Sequence, residues 1–498
     1  MASVGAFLRL IGAGWTLVRN DALLPRELDD YYSNGVRTVA GVLRVFASEK
    51  SGRPGERLAR SLERLGPVAI KLGQLLSTRA DIFGRTFAED LSRLKDKLPP
   101  FPTAQARALV EQELGRPIGA LFAAFGDPVA AASLAQAHDA VLPDGRRVAV
   151  KVLRPGIDRR VAADSEVLKL AGALIERWAP PARRLEPAAF AATVVRATEL
   201  ELDLRMEAAG ADELSEVMAL DGYMSAPKVA WEGVGKRVLT LEWAEGVPLS
   251  QDAALEQPGL DRKALADNLT RAFLAQALDH GVFHADLHEG NLFAAAPDRL
   301  QAVDFGIIGR LGPTERRYLA EILWGFLRRD YEQVAQVHFD AGYVPRRHSV
   351  AAFAQALRAV GEPVFGRSAS TIAMSRVLTQ LFEITALFEM RLRPELVLLQ
   401  KTMMTVEGVA RRIDPEHDIW AASEPVVRRW IARELSPATR IKRFAGEFET
   451  AVRNIAALTQ GPAPTPALET ERESGALLWF ALGALASGVA FLLGIWLG

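Results

Sequence analysis

The chain has 498 residues, of which 49% are hydrophobic, so it is long enough for roughly two to four domains or for one large two-lobed unit. The 60 Lys and Arg residues nearly balance the 61 Asp and Glu residues, so bulk charge gives no argument for a nucleic-acid partner. Cysteine is absent, which excludes disulfides, a cysteine zinc site and a thiol nucleophile.

Residues 1–45 are predicted to form an N-terminal amphipathic segment. Arg9 interrupts the apolar run and Trp15 stands where a cleaved signal peptide would need small residues, so a signal peptide is not expected. Apolar or small residues recur there at helical spacing, namely Phe7, Leu10, Ile11, Gly14, Leu17 and Val18. Such a helix could lie on a membrane or dock on the rest of the protein, and we favour docking.

A helical extension is predicted over residues 46–120. It includes the stretch PVAIKLGQLLSTRAD, in which Lys71 and Gln74 lie about one helical turn apart among apolar residues. A buried lysine is costly unless an acidic group pairs with it. The stretch therefore predicts a carboxylate partner for Lys71, unless the side chain is simply exposed beside an apolar stripe.

Residues 121–247 are predicted to form a mixed lobe of strands and helices. The turn residues Pro143, Asp144 and Gly145 precede an alternation of buried-type valines with Lys151 on the opposite face. This pattern predicts a β-hairpin whose second strand carries the lysine.

Residues 248–458 are predicted to form a largely helical lobe that carries the catalytic and metal motifs. The loop motif HADLHEGN ends at Asn291 and is followed thirteen residues later by DFG, which begins with Asp304. Together these motifs match the kinase pattern H-x-D-x-x-x-x-N and D-F-G. Asp286 would orient or deprotonate the acceptor, whereas Asn291 and Asp304 would hold Mg²⁺ through oxygen atoms. His284 is expected to hold the loop by hydrogen bonds rather than to bind a metal.

In this pattern Lys151 would neutralise the α- and β-phosphates of ATP and would need a carboxylate to hold it. The acidic run ELELDLRME at residues 199–207 is predicted to be helical, with Asp203 and Glu207 on one face and Glu201 turned away. A solvated acidic helix face is the alternative, and spacing alone does not choose the partner of Lys151.

The C-terminus has a different composition from the rest of the chain. Residues 459–474 are rich in proline and polar residues, which is typical of a linker. Residues 475–498 carry no charge and are long enough for a transmembrane anchor, as a single span or a short hairpin. We therefore expect a globular body tethered by its C-terminus.

These motifs resemble those of the atypical kinase-like UbiB family, whose eukaryotic members act in coenzyme Q biosynthesis. The resemblance covers about residues 30–420 and the C-terminal anchor. Residues 71–74 match the family motif K-x-G-Q and residues 201–203 match E-x-D. Ordinary protein kinases carry neither motif. An Ala-rich nucleotide loop is matched by Val129, Ala130, Ala131, Ala132 and Ser133.

The resemblance implies an α+β, two-lobed protein-kinase-like fold with a helical N-terminal extension and a C-terminal transmembrane helix. It implies ATP and Mg²⁺ as cofactors, with the Ala-rich loop over the phosphates. It also implies that Glu207 pairs with Lys151, while Glu201 and Asp203 face the helix of Lys71.

The resemblance further implies that Lys71 and Gln74 enter the active-site cleft and occupy space where a protein substrate would lie. ATPase behaviour is therefore expected rather than protein phosphorylation. The implied role is in ubiquinone biosynthesis, through ATP-driven handling of lipid precursors or of biosynthetic enzymes. The expected partners are membrane lipid and polyprenyl quinone precursors, and the expected location is the bacterial inner membrane with the globular body in the cytoplasm.

Three other functions remain open at this stage. A small-molecule kinase would use a similar loop without an APE motif, and a nucleotide-gated scaffold would need binding but not turnover. A protein kinase is the least favoured, because the chain has HAD in place of HRD and no APE after the DFG. If the extension and the Ala-rich loop suppress such activity, replacing Lys71, or Ala131 by Gly, is expected to unmask autophosphorylation.

Overall fold

The computed structural model describes most of the chain, namely residues 4–22, 38, 41–48, 51–77, 85–92, 94, 99–178, 183, 186–362, 384, 387–390 and 394–434. The predicted linker at 459–474 and the predicted anchor at 475–498 lie outside these ranges. Within them, no helix is long and apolar enough to cross a membrane. The chain divides into two compact units, Met1–Ala432 and Arg433–Gly498, and every site residue discussed below belongs to the first.

The N-terminal part of the described chain is helical, as predicted. Its elements are α1 (Val4–Arg19), a 3₁₀ turn (Arg44–Phe46), α2 (Pro54–Leu65), α3 (Pro67–Ser77) and α4 (Arg85–Ser92). Helices α2, α3 and α4 share a small apolar core that includes Leu62 and Leu94. A Cβ at Gly73 would overlap both leucines, so the glycine lets α3 pack closely against them.

A four-stranded antiparallel sheet with the order β1-β2-β3-β4 forms the small lobe. Its elements are α5 (Thr103–Leu114), α6 (Ile118–Leu121), β1 (Ala124–Ala131), β2 (Ala135–Val141), β3 (Arg147–Leu153) and β4 (Val238–Glu242). Strands β2 and β3 form the predicted hairpin, with Val148, Val150 and Val152 fully buried. Their faces pack on α5 and α6, so helix α5 belongs to the core of this lobe.

Three helices follow the hairpin: α7 (Ile157–Trp178), α8 (Pro187–Leu200) and α9 (Leu204–Asp221). The second apolar cluster of the small lobe joins residues of α7 and α9 to Leu153 of β3 and Val68 of α3. The extension therefore packs directly against the lobe that carries Lys151. The prediction of one helix through residues 199–207 is wrong, because α8 ends at Leu200 and α9 begins at Leu204.

The large lobe contains two small sheets of order β5-β7-β8 and β6-β9. Its first elements are β5 (Val247–Pro248), α10 (Arg262–Ala275), a π-helical segment (Gln276–His280), β6 (Val282–His284), β7 (Leu292–Ala295), β8 (Arg299–Ala302) and β9 (Ile308–Arg310). Residues 237–249 are divided between the two lobes, because β4 joins the small-lobe sheet and β5 pairs with β7.

The rest of the described chain is helical. It consists of α11 (Pro313–Leu327), α12 (Tyr331–Asp340), α13 (Val350–Gly361), α14 (Pro394–Ile413) and α15 (Ile419–Glu434). Side chains of α14 and α15 complete the main apolar core with α10 and the small sheets. This core holds the strand ends from which the catalytic loop leaves.

Candidate active site

The loop after β6 is held in place by a buried histidine. The Nδ1 atom of His284 accepts a hydrogen bond from the backbone N–H of Asp286 at 3.1 Å, and its Nε2 atom donates to the carbonyl of Val303 at 3.1 Å. These two bonds require a neutral ring, and burial lowers the pKa of His284 accordingly. The predicted structural role of His284 is confirmed, since the ring ties the loop of Asp286 to the strand that leads to Asp304.

Asn291 and His288 shape the rest of the loop. The Nδ2 atom of Asn291 donates to the carbonyl of Asp286 at 3.1 Å, which leaves the amide oxygen as its acceptor group. The Nδ1 atom of His288 accepts from the backbone N–H of Gly290 at 3.0 Å, and its Nε2 lies 3.7 Å from Asp286 Oδ2. The loop therefore presents the carboxylate of Asp286 from a backbone fixed at both ends.

Helix α14 braces this loop from behind, which the sequence did not reveal. The hydroxyl of Thr402, which is 1% exposed, donates to the carbonyl of Ala285 at 3.0 Å. Near the other end of the loop, the guanidinium of Arg412 contacts Glu289 and also lies 3.1 Å from Asp252 Oδ1. No local sequence signal marks these residues, because their partners are more than 100 positions away.

Asp304 adopts the left-handed backbone region with φ at 64°, which is uncommon for a residue other than glycine. Such conformations tend to occur at functional sites, where the surrounding structure compensates for their cost. Its Oδ1 atom lies 3.4 Å from Lys151 Nζ, and its side chain is 53% exposed. Lys151 lowers the pKa of Asp304, so the carboxylate is charged at neutral pH.

The predicted pair of Lys151 and Glu207 is present. The Nζ atom of Lys151 donates to both carboxylate oxygens of Glu207, at 2.7 and 2.9 Å. Burial acts to lower the pKa of Lys151, but the carboxylates of Asp304, Glu207 and Glu201 outweigh it and raise the pKa. Lys151 is therefore a permanent cation at the junction of the two lobes.

Lys71 lies against the same group of charges. Its Nζ atom donates a hydrogen bond to Glu201, and the two side chains are 12% and 26% exposed, respectively. Burial raises the pKa of Glu201, and Lys71 opposes that effect. The charge of Glu201 also acts on Lys151 and Asp304. The carboxylate partner predicted for Lys71 is thus confirmed as Glu201, about 130 residues away in sequence.

Asp203 uses its carboxylate at the start of α9, and its predicted orientation toward the helix of Lys71 stays a prediction. Its Oδ1 atom accepts from the backbone N–H of Arg205 at 3.2 Å, and its carboxylate binds the guanidinium of Arg205 at 2.6 and 2.8 Å. Asp203 is the N-cap of α9, so its side chain is used to begin that helix. Gln74 lies in α3, where its carbonyl accepts from Ser77 Oγ at 2.6 Å, and its predicted entry into the cleft stays a prediction.

The Ala-rich stretch forms the end of β1 and the turn into β2. Val129, Ala130 and Ala131 belong to β1, whereas Ala132 and Ser133 lie in the turn, which the bond from Ala132 N to Ala135 O closes at 2.8 Å. Arg154 stabilises this turn by two hydrogen bonds. Its Nε atom donates to the carbonyl of Ala132 at 2.9 Å, and its backbone N–H donates to Leu134 O at 2.8 Å. Arg154 thus braces the segment that was predicted to cover the phosphates.

The oxygen donors at the lobe junction fit a hard divalent cation. Asp304 contributes an exposed carboxylate and Asn291 contributes an amide oxygen, which are the ligand types that Mg²⁺ prefers. Within the described ranges, no cluster of three or more His, Asp or Glu side chains could hold a metal alone. Mg²⁺ commonly takes one or two protein oxygens and completes its shell with phosphates and water. This donor set therefore suits Mg²⁺ bound together with a nucleotide.

Comparisons with known proteins bear on this architecture. A model of the ABC1 atypical kinase-like domain matches residues 93–338, and a model of the UbiB helical domain matches residues 357–418. A protein of Marinobacter nauticus named probable protein kinase UbiB is 40% identical over 403 residues, which cover 80% of this chain and 74% of that protein. The chain belongs to the UbiB family. A Cellvibrio japonicus protein of the same name is 37% identical over 89% of this chain and 81% of its own length.

A solved structure shows the same fold. The complex of Rv3197 with erythromycin from Mycobacterium tuberculosis superposes with a TM-score of 0.53 and 24% identity, over 79% of this chain and 98% of that chain. The two-lobed kinase-like fold with mixed helix and sheet is therefore confirmed. Within the UbiB family match, the ABC1 domain carries Lys151, Asp286 and Asp304. The UbiB helical domain carries Thr402 and Arg412, which brace the catalytic loop.

Proposed function

We propose that this chain is a membrane-anchored, kinase-like ATPase that supports ubiquinone biosynthesis. The observation that carries the proposal is that Lys71 lies in the same group of charged residues as Lys151 and Asp304, which would bind the nucleotide and its Mg²⁺. Lys71 pairs with Glu201, and the charge of Glu201 acts on both Lys151 and Asp304. The helix of Lys71 would therefore occupy the space in which a protein kinase receives its peptide substrate.

Each charged residue at the junction has a role that its geometry supports. Bound MgATP would supply the phosphoryl group. Lys151, oriented by Glu207, would neutralise phosphate charge, whereas Asp304 and Asn291 would bind Mg²⁺. Asp286, on a loop fixed by its neighbours, would orient the attacking water or other acceptor.

The membrane and pathway parts of the proposal rest on separate grounds. The uncharged segment 475–498 would anchor the chain in the bacterial inner membrane, with the body in the cytoplasm where ATP is available. The curated relatives are named probable protein kinase UbiB, which links the family to the ubiquinone pathway. Polyprenyl quinone precursors reside in membrane, so an anchored ATPase would act beside them.

A genetic rescue tests the proposed function. A bacterial strain that lacks its own UbiB-family protein receives this chain, its Asp286→Asn variant or its Asp144→Asn variant, and ubiquinone is quantified by mass spectrometry. Asp144 lies in the β2–β3 turn with a side chain that is 52% exposed, so its substitution is the matched control. We expect the unaltered chain and the control to restore ubiquinone.

Asp286→Asn is expected to leave ubiquinone near the level of the deletion strain. Full rescue by this variant would favour the scaffold function over ATP turnover. A phosphorylated small molecule that appears only with the unaltered chain would instead favour the small-molecule kinase. Phosphorylated protein substrates would favour the protein kinase.

A further inference from the structure

Helix α1 exposes five large apolar side chains on one face. Each of these side chains belongs to a residue that is more than half exposed: Val4, Phe7, Leu8, Ile11 and Trp15. On a helix with about 100° per residue they share one arc of about 100°. They span residues 4–15, which is about 17 Å along the helix, so these side chains form one apolar stripe rather than scattered exposed groups.

The opposite side of α1 is fixed to the body. Ala6 is buried, and the guanidinium of Arg64 donates to Asn20 Oδ1 at 3.1 Å just beyond the helix end. The nearly buried side chain of Arg57 lies 3.2 Å from the carboxylate of Asp21. The docking that the sequence favoured is therefore present, and Ala6, Val18 and the polar residues beyond the helix end contribute to it. The five large apolar residues named above remain exposed.

A second segment extends the stripe. Val42, Val45 and Phe46 are 58%, 77% and 56% exposed, respectively. The ring of Phe46 lies 6.1 Å from the ring of Trp15. Nearby, the backbone N–H of Ser48 donates to Arg19 O at 3.0 Å and joins the segment to the end of α1. These three residues and the five of α1 are called the apolar ridge below.

We propose that the apolar ridge docks on the surface of an anionic lipid bilayer. Charge decides between this partner and an apolar protein surface. Neither α1 nor residues 41–48 contains an acidic residue, whereas Arg19 is exposed on α1, and so is Arg9, which lies 3.6 Å from Asp164 of α7. A helix with an apolar face and basic flanks lies in the headgroup region and prefers anionic lipid.

This surface is independent of the proposed ATPase activity and of the predicted C-terminal anchor. Helix α1 packs on α2 and α7, and both of these helices contact α3, which carries Lys71. The ridge would therefore fix how the body faces the membrane. The ridge would therefore orient a body that the C-terminal segment only tethers.

Quenching of tryptophan fluorescence by brominated lipid tests the proposal on the full chain. The signal of Trp15 is the difference between the unaltered chain and its Trp15→Phe variant, measured on vesicles of phosphatidylcholine and phosphatidylglycerol with or without brominated acyl chains. We expect brominated lipid to lower this difference signal at least about twofold, because Trp15 would insert at the acyl boundary. An equal difference signal on both kinds of vesicle would overturn the proposal.

Charge variants provide the matched control. Ile11→Glu places a carboxylate in the ridge, whereas Leu220→Glu places one at a 77% exposed leucine of α9 outside it. We expect Ile11→Glu to abolish the quenching of Trp15 and Leu220→Glu to leave it unchanged. Circular dichroism melts of both variants should match that of the unaltered chain, since both positions are exposed.

Two other occupants of the ridge give different results. If segment 475–498 of the same chain covers the ridge, Trp15 and the tryptophans of that segment all stay unquenched. If a second copy covers it, Trp15 stays unquenched and Ile11→Glu converts a dimer to a monomer in sedimentation. Either result would overturn the lipid assignment.

Discussion

At the scale of single residues, the site holds more negative than positive charges, and most of these side chains are largely shielded from solvent. Two cations, Lys71 and Lys151, lie among three carboxylates, namely Glu201, Glu207 and Asp304. The excess negative charge is costly by itself, and burial already raises the pKa of Glu207. A divalent cation beside Asp304 would offset that excess. Such a cluster is typical of a binding site rather than of a device for stability.

Removing Lys71 should destabilise the folded protein, because its partner Glu201 would lose its counter-charge. Lys71→Met is expected to lower the free energy of unfolding by about 1–3 kcal/mol, because Glu201 would keep a largely buried carboxylate without its cation. The double variant Lys71→Met with Glu201→Gln should recover part of this loss. Chemical denaturation of the four proteins of this cycle measures the effect. Additive losses would show that the two side chains do not interact.

His284 should contribute to the pH dependence of stability. Its pKa is lowered by burial, so below the unfolded value of about 6.5 the unfolded chain binds the proton more strongly. Stability should therefore be fully present above about pH 7 and should decrease as the pH falls below 6.5. Desolvation also lowers the pKa values of His138, His338 and His417, so these histidines act in the same direction.

The variant His284→Asn isolates the contribution of this one ring. We expect it to be less stable at pH 7.5, but its unfolding free energy should fall less steeply between pH 6.5 and 5. The slope should be smaller by at most about 1.4 kcal/mol per pH unit. Equal slopes for the variant and the unaltered chain would contradict the neutral, buried ring.

At the scale of elements, the break between α8 and α9 determines which carboxylate reaches which lysine. Glu201 lies in the break and meets Lys71, whereas Glu207 lies one turn into α9 and meets Lys151. Asp203 between them begins α9 as its N-cap. One acidic run thus supplies two different ion pairs and one helix cap.

The cap makes a testable distinction within the E-x-D motif. Asp203→Ala should cost about 1 kcal/mol of stability, while Asp203→Asn should cost much less because Asn is also a good N-cap. Asp261 caps α10, because its Oδ1 atom accepts from the backbone N–H of Ala264 at 2.9 Å. Asp261→Ala is therefore the matched control, and its loss of stability should be similar to that of Asp203→Ala. Thermal melts compare the three variants. A loss from Asp203→Asn as large as that from Asp203→Ala would contradict the capping role.

Local patterns in the sequence predicted those elements whose causes are local. The valine alternation predicted the hairpin that carries Lys151, and the loop motif predicted that His284 holds the loop by hydrogen bonds. The helix break at Asp203 is not predicted by the i, i+4 spacing of the acidic residues, because that spacing takes no account of Asp203 as an N-cap. The bracing by Thr402 was missed because it depends on tertiary contact alone.

At the scale of the whole molecule, the site is assembled from segments far apart in the chain. The extension supplies Lys71, the small lobe supplies Lys151 and the large lobe supplies Asp304. Such assembly requires the extension to pack on the small lobe, as Val68 does beside Leu153. A family resemblance could indicate this convergence in advance, but composition and periodicity could not.

The central claim is that Asp304 and its neighbours form the site of Mg²⁺-dependent ATP turnover. The most direct test is the rate of ATP hydrolysis by the full chain with anionic vesicles present, compared with Asp304→Asn and with Asp203→Asn as the matched control. We predict that Asp304→Asn lowers kcat at least about 100-fold and that Asp203→Asn stays within about twofold of the unaltered chain. Full turnover by Asp304→Asn would contradict the claim.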